Sequence, residues 1–151
     1  MNMDLNEPIY DKIQIQIAAF FGGPIAITYM IGKNYKNLGQ PTSAKGAWFF
    51  GYFISILMII LMLFTFAGST NLKSGSTNLK YCIPFIFVLV GTIFLEIIQG
   101  KAIRLHLKNN GATYSVSSAL GIGLVCLIIT ILIIAITFFG LLAIIGFPAQ
   151  D

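Results

Sequence analysis

Residues 119–147 read ALGIGLVCLIITILIIAITFFGLLAIIGF, a run without one charged side chain, and its length decides the fold class. About 20 consecutive apolar residues cross the ~30 Å hydrocarbon core of a bilayer, whereas a helix on the surface of a soluble domain keeps a polar face. Three more such stretches precede it, Ile13–Ile31, Ala47–Ala67 and Tyr81–Gln99. The 151 residues are 57% hydrophobic and 9% charged, against about 25% charged in a soluble domain. The pattern predicts an all-α integral membrane bundle of four transmembrane helices, forming one domain over 1–151 with a polar outer loop at 68–80.

Charge orients this bundle. Lys33, Lys36 and Lys45 fall in the connection 33–46, and Lys101, Arg104 and Lys108 in the connection 100–118. Lys12, Lys73 and Lys80 are left for the other side. Basic residues concentrate in cytoplasmic loops, so six against three assigns both connections to the cytoplasm and both termini to the outside. The acidic tail residues Asp4, Glu7 and Asp11 agree with this. Tyr35, Trp48 and Tyr114 then mark the inner headgroup level, and Tyr10 and Tyr81 the outer one. The basic residues stand singly, without interleaved aromatics, which argues against a nucleic-acid partner. Membrane lipids are the expected contact: Lys101, Arg104 and Lys108 would each gain about 1 kcal/mol from anionic headgroups.

Helix limits follow from punctuation. Proline is favoured at a first helical position, so the first helix is expected to begin near Glu7-Pro8 and to end at Gly39-Gln40-Pro41. Thr42 or Ser43 would cap the second. Gly111 is the expected left-handed stop of a third helix that runs past the bilayer to Lys108, and the fourth starts among Ser115, Ser117 and Ser118 and, longer than a bilayer demands, should tilt or bend near Gly140. No basic n-region or small-residue cleavage site is seen, so the first helix is expected to stay in the mature protein. The outer loop repeats Gly-Ser-Thr-Asn-Leu-Lys at 68–73 and 75–80, read as a lengthened surface loop. Cys82 and Cys126 lie at depths too different for a disulfide and read as buried thiols.

Few constellations carry chemistry. Glu96 is the only acidic residue inside the long apolar segments, and an ionisable group there needs a partner or a function. Spacings of three and four put Thr92, Glu96, Gln99 and Gly100 on one helix face, with Lys33 and Arg104 as candidate ion-pair partners. The two readings are a structural ion pair and a proton- or ligand-coupled site. Ala18, Gly22 and Ala26, at four-residue spacing, form a small-residue seam for helix packing. Pro24 in the same helix should kink it. His106, the only histidine, reads as solvated or interfacial, and without a second ligand at suitable spacing no metal site is expected. No nucleophile elbow, phosphate loop or paired carboxylates occur, so neither a catalytic residue nor a cofactor is expected.

Two segments, Phe20–Gly39 (FFGGPIAITYMIGKNYKNLG) and Glu96–Ser115 (EIIQGKAIRLHLKNNGATYS), together with the four-span layout, resemble a group of small bacterial four-span inner-membrane proteins. Those proteins share a glycine-glycine-proline first helix running into an Asn-Tyr and Leu-Gly stop, and a Gln-Gly stretch after the third span. The resemblance implies a bacterial inner membrane and a helical bundle, and carries over no catalytic or binding residue. The reading is therefore a non-enzymatic accessory or interaction subunit, its packing completed by a homo-oligomer or a membrane-protein partner. The alternative is a small transporter or lipophile-binding protein in which Glu96 titrates as substrate binds near the inner leaflet. A third reading is an immunity protein against a membrane-active toxin.

Overall fold

The computed structural model describes residues 6–68, 93 and 97–145, with side chains placed for all but 61–68 and 141–145. The protein is all-α, with helices α1 (Lys12–Asn37), α2 (Pro41–Gly68), α3 (97–108) and α4 (Val116–Ile145). Three of them, over Lys12–Asn37, Pro41–Ile60 and Val116–Gly140, are long and apolar enough to cross a membrane. Most of the third apolar stretch, the repeated outer loop and Cys82 lie outside the described residues.

α1 is not straight. Its one non-helical residue is Gly23, at φ 59° and ψ −149°, a region essentially restricted to glycine. Pro24 follows, and a proline pushes its predecessor out of the α region while removing an amide donor. Together the two residues produce a reversal sharper than the expected kink. In a continuous helix Asp11 and Asn34 would lie about 35 Å apart. Instead, the Tyr10 amide donates to Asn34 Oδ1 at 2.8 Å and Asn34 Nδ2 donates to the Tyr10 carbonyl at 2.8 Å. α1 is thus a helical hairpin of two limbs, 12–22 and 24–37, about 16 and 21 Å long at helical rise. Residues 8–11 accordingly sit at the same end of the molecule as 33–46 and 100–118. This corrects the expectation of opposite ends.

The hairpin is the core. In its most apolar window 56% of residues are buried, against 17% in α2 and in α4. α1 packs on both of these helices, which barely touch each other. The first limb lies on α4, where a Cβ on Gly22 would stand 2.6 Å from the Cys126 Cβ and 2.8 Å from the Gly123 carbonyl oxygen. A Cβ on Gly123 would in turn meet the Ala18 backbone at 3.1 Å. The second limb runs antiparallel to α2. There Gly51 makes room for Thr28, and Gly32 makes room for the indole of Trp48, which donates to the Tyr29 carbonyl at 3.4 Å. Thr28 and Ser55 hydroxyls meet at 3.4 Å inside this seam, the kind of polar contact that joins helices where no hydrophobic force does.

Ends also differ from the punctuation in places. α1 starts at Lys12, four residues after Pro8, because Asp11 and Gln14 form a reciprocal capping box with bonds of 2.8 and 3.1 Å. Its end is a Schellman turn, with Gly39 at φ 74° and Gln40 N–H reaching the Tyr35 carbonyl at 2.8 Å. α2 takes Pro41 as its first residue, ahead of the expected Thr42 or Ser43 cap. In the turn that stops α3 it is Asn110, not Gly111, that takes the left-handed region, at φ 56°.

Nothing stands within 4 Å of a Cβ built on Gly23, so Gly23→Ala tests backbone strain free of any clash. Thermal unfolding in detergent is expected to show a loss of about 1–3 kcal/mol. Gly121→Ala, also in open space but in regular helix, should stay within about 0.5 kcal/mol of the parent.

Candidate functional site

The hairpin brings three separate pieces of chain to one end of the bundle, where they form a polar clamp. Residues 8–10 are extended, and an extended chain turns successive backbone groups to opposite sides. Ile9 faces the α3–α4 connection: its amide donates to the Ala112 carbonyl at 3.1 Å, and the Tyr114 amide donates to the Ile9 carbonyl at 3.0 Å. Tyr10 faces the other way, to the Asn34 amide, which offers one acceptor and one donor as a neighbouring strand would. Asn37 donates to the Pro8 carbonyl and, at 3.2 Å, to the Tyr114 hydroxyl. Gln14 Nε2 donates to the Tyr114 carbonyl at 2.6 Å. Asn34 and Ile9 are wholly buried, and Tyr10 nearly so. Each backbone group in this list would cost about 1–3 kcal/mol if left buried and unpaired.

Aromatic packing closes the clamp. The Tyr10 and Tyr114 rings stack with centroids 4.1 Å apart and planes 17° from parallel. Tyr10 was expected at the outer headgroup level and Tyr114 at the inner, so the stack places both at one level. The Tyr10 hydroxyl reaches Ser118 Oγ at 3.4 Å. Burial pushes the Tyr10 phenol above its usual pKa, offset in part by the Ser118 bond.

His106 is inside, contrary to the expected solvated position. Its ring is fully buried, with Nε2 at 3.0 Å from the Ala112 carbonyl oxygen, the same oxygen that receives the Ile9 amide. That carbonyl therefore assigns the proton to Nε2. Nδ1 has no partner among the described residues. A Cβ on Gly111 would collide with the ring, so the glycine read as a left-handed stop serves here to admit an imidazole.

The residues singled out from the sequence fall in several places. Thr92 and Glu96 lie outside the described residues. Gln99 is fully buried in α3, donating from Nε2 to the Ile31 carbonyl at 2.9 Å, with the Tyr35 hydroxyl beside it. Lys33 is half-buried at the end of α1, while Lys101, Arg104 and Lys108 are exposed along α3. Ala18, Gly22 and Ala26 are all buried, but Gly23 separates Ala26 from the other two, so they do not share one continuous face. Ala26 instead meets Gly22 across the hairpin turn, where an added Cβ would come within 2.8 Å. Missed from the sequence were Gln14, Asn34, Asn37 and the Tyr10–Tyr114 pair. The available signal was the pair of asparagines three apart on one face of an otherwise apolar helix.

Beyond the clamp, a cavity of about 560 Å³ lies between the second limb of α1, α2 and α4, lined by Ile25, Tyr29, Tyr52, Ser118, Cys126 and Ile133 among others. Its wall is apolar with a few hydroxyls and one thiol. Among the described residues no three His, Cys, Asp or Glu side chains stand together. Most of the clamp's hydrogen bonds engage backbone atoms, an arrangement suited to holding chain segments together.

Asn34→Leu is expected to strand two buried backbone groups of Tyr10, costing about 1–3 kcal/mol for each and opening residues 6–11 to limited proteolysis in detergent before the rest of the chain. A pH effect follows from Tyr10. Because its folded pKa is raised, the fold favours the neutral phenol, so the contribution is present below the ordinary tyrosine value of about 10 and is lost as pH rises through the folded value. Melting temperature should fall more steeply above about pH 10 for the parent than for Tyr10→Phe.

Compared with known proteins, the chain matches no family model, no curated protein and no solved structure. Among the described residues it has four helices, three of them long and apolar enough, by length and composition, to span a membrane.

Proposed function

We propose that this multi-pass membrane protein is a non-enzymatic accessory subunit of a bacterial inner membrane, which offers partners a rigid basic face. The observation that carries the reading is the clamp. Its buried hydrogen bonds tie residues 8–11, 34–37 and 112–118 into one unit at the end of the bundle where Lys36, Lys45, Lys101 and Lys108 are exposed. A preordered surface loses little entropy when a partner binds, which favours recognition. Its charge suits an acidic protein surface beside anionic headgroups. The resemblance of Phe20–Gly39 and Glu96–Ser115 to small four-span bacterial proteins supports the inner-membrane assignment.

Crosslinking in native membranes followed by purification should recover a stoichiometric membrane-protein partner. Combined Lys36→Glu, Lys45→Glu and Lys108→Glu substitutions should abolish that recovery while leaving melting temperature unchanged. A parent protein that purifies alone after crosslinking would sink the reading.

A second reading, binding of a lipophile, rests on the 560 Å³ cavity beside Tyr29, Tyr52 and Cys126. Pockets of about 300–1,000 Å³ with mainly apolar walls and a few polar groups are those that hold small molecules. Native mass spectrometry of the mildly extracted protein should then show a bound lipid-sized mass that Gly121→Trp, at the cavity wall, removes.

A further inference from the structure

A hairpin whose two ends meet cannot cross a bilayer. We infer that α1 enters the membrane as a re-entrant hairpin and that the chain crosses three times, with its N-terminal segment and the connections 33–46 and 100–118 all on the cytoplasmic side and its C-terminal end outside. The inference rests on the reading of the chain as a membrane protein and revises how it is threaded.

Length supports it first. The limbs of α1, about 16 and 21 Å, reach only about half to two-thirds of a ~30 Å hydrocarbon core, whereas α2 and α4, about 42 and 45 Å, exceed it. Contacts register the depths. Along the second limb and α2, Gly32 pairs with Trp48 and Thr28 with Gly51 and Ser55. Along the first limb and α4, Gln14 bonds Tyr114 while Gly22 meets Gly123 and Cys126. The tip at Gly22-Gly23-Pro24 therefore lies about a third of the way along α4 and past Ser55 on α2, and both long helices continue beyond it. The crossings then follow from connectivity. α2 leaves the clamp end, the chain is back there by Gln99, which is bonded to Ile31, and α4 leaves again.

The lipid environment sets a condition that the hairpin meets at Gly22 and in part at Gly23 and Pro24, which are half-buried. Broken backbone at membrane depth is tolerated where protein covers it. At the tip, Gly22 is buried against Gly123, Cys126 and Ala26, while Phe20 and Phe21 turn their rings outward.

Charge gives an independent argument. With residues 6–12 at the clamp end, Lys12 joins Lys33, Lys36, Lys45, Lys101, Arg104 and Lys108. Of the nine basic residues, only Lys73 and Lys80 remain for the opposite face. Six against three becomes seven against two, a stronger positive-inside bias than four crossings give. The interfacial aromatics Tyr10, Tyr35, Trp48 and Tyr114 also gather at one level.

Single cysteines at Asn6, Lys45 and Asn109, and one appended to the C-terminus, all in a Cys82→Ser, Cys126→Ser background, test this with a membrane-impermeant maleimide on cells with a permeabilised outer layer. The first three should label only after the inner membrane is opened, and the C-terminal one before. Labelling of Asn6→Cys but not Lys45→Cys from outside would overturn the hairpin. A C-terminus protected together with the other three would overturn the count of three crossings, and the fully inverted pattern would overturn the sidedness. Recovery of the parent chain without detergent would instead end the membrane reading itself. As a check independent of cells, spin labels on Glu7→Cys and Asn109→Cys in purified protein should lie within about 20 Å; a separation near the ~30 Å or more of a bilayer would refute the hairpin.

Discussion

The bidentate bond between the Asn34 amide and the two backbone groups of Tyr10 is the constraint from which the architecture follows. It fixes one end of α1 against the other, which a continuous helix of that length forbids, and the turn at Gly23-Pro24 makes the closure feasible. Everything at the clamp end depends on this closure. Ile9 reaches the α3–α4 connection only because Tyr10 is held, and the Ala112 carbonyl that receives Ile9 also orients His106. The stacking of Tyr10 on Tyr114 then covers bonds that water would otherwise weaken.

Inside a membrane, apolar area gives helices little reason to associate, because lipid tails are as apolar as leucine. The bundle relies instead on close approach and on hydrogen bonds. Gly22 and Gly123 bring the first limb of α1 onto α4, and Gly32 and Gly51 bring the second limb onto α2. Buried amides and hydroxyls mostly find backbone partners, as Gln99 does on Ile31. Among the described residues the hairpin is accordingly the most buried part, while α2 and α4 leave broad apolar surfaces for lipid or for a partner. Phe49, Phe50 and Phe53 on α2 belong to that outer surface.

Much of the fold was legible. Uncharged runs of bilayer length identify helices of a membrane protein, since few other structures satisfy every backbone group in lipid. The stop at Gly39 and the start of α4 beside Ser115 were readable from local chemistry. Proline 24 announced a disturbance of α1, but its size was not readable, because a modest kink and a full reversal use the same residues. The candidate site was far less legible. Asn34 and Asn37 resemble ordinary polar residues at a helix end until residues 8–10 are placed against them. His106 looked solvated because its cover, the turn at Gly111-Ala112, forms only after α3 has ended.

The amino-acid sequence by itself determined that the chain is helical, that it belongs in a bilayer, and that 33–46 and 100–118 share one side. Those properties are sums over local composition, charge and spacing, and need no knowledge of which segments meet. Tertiary structure alone decided that α1 folds back on itself, that the N-terminal segment joins the basic end of the bundle, and that Gly111 makes room for a ring. Each of these depends on contacts between residues far apart in the chain, such as Tyr10 with Asn34 or Gln14 with Tyr114. Hydrogen bonds across that distance leave no periodic trace for a sequence reading to find.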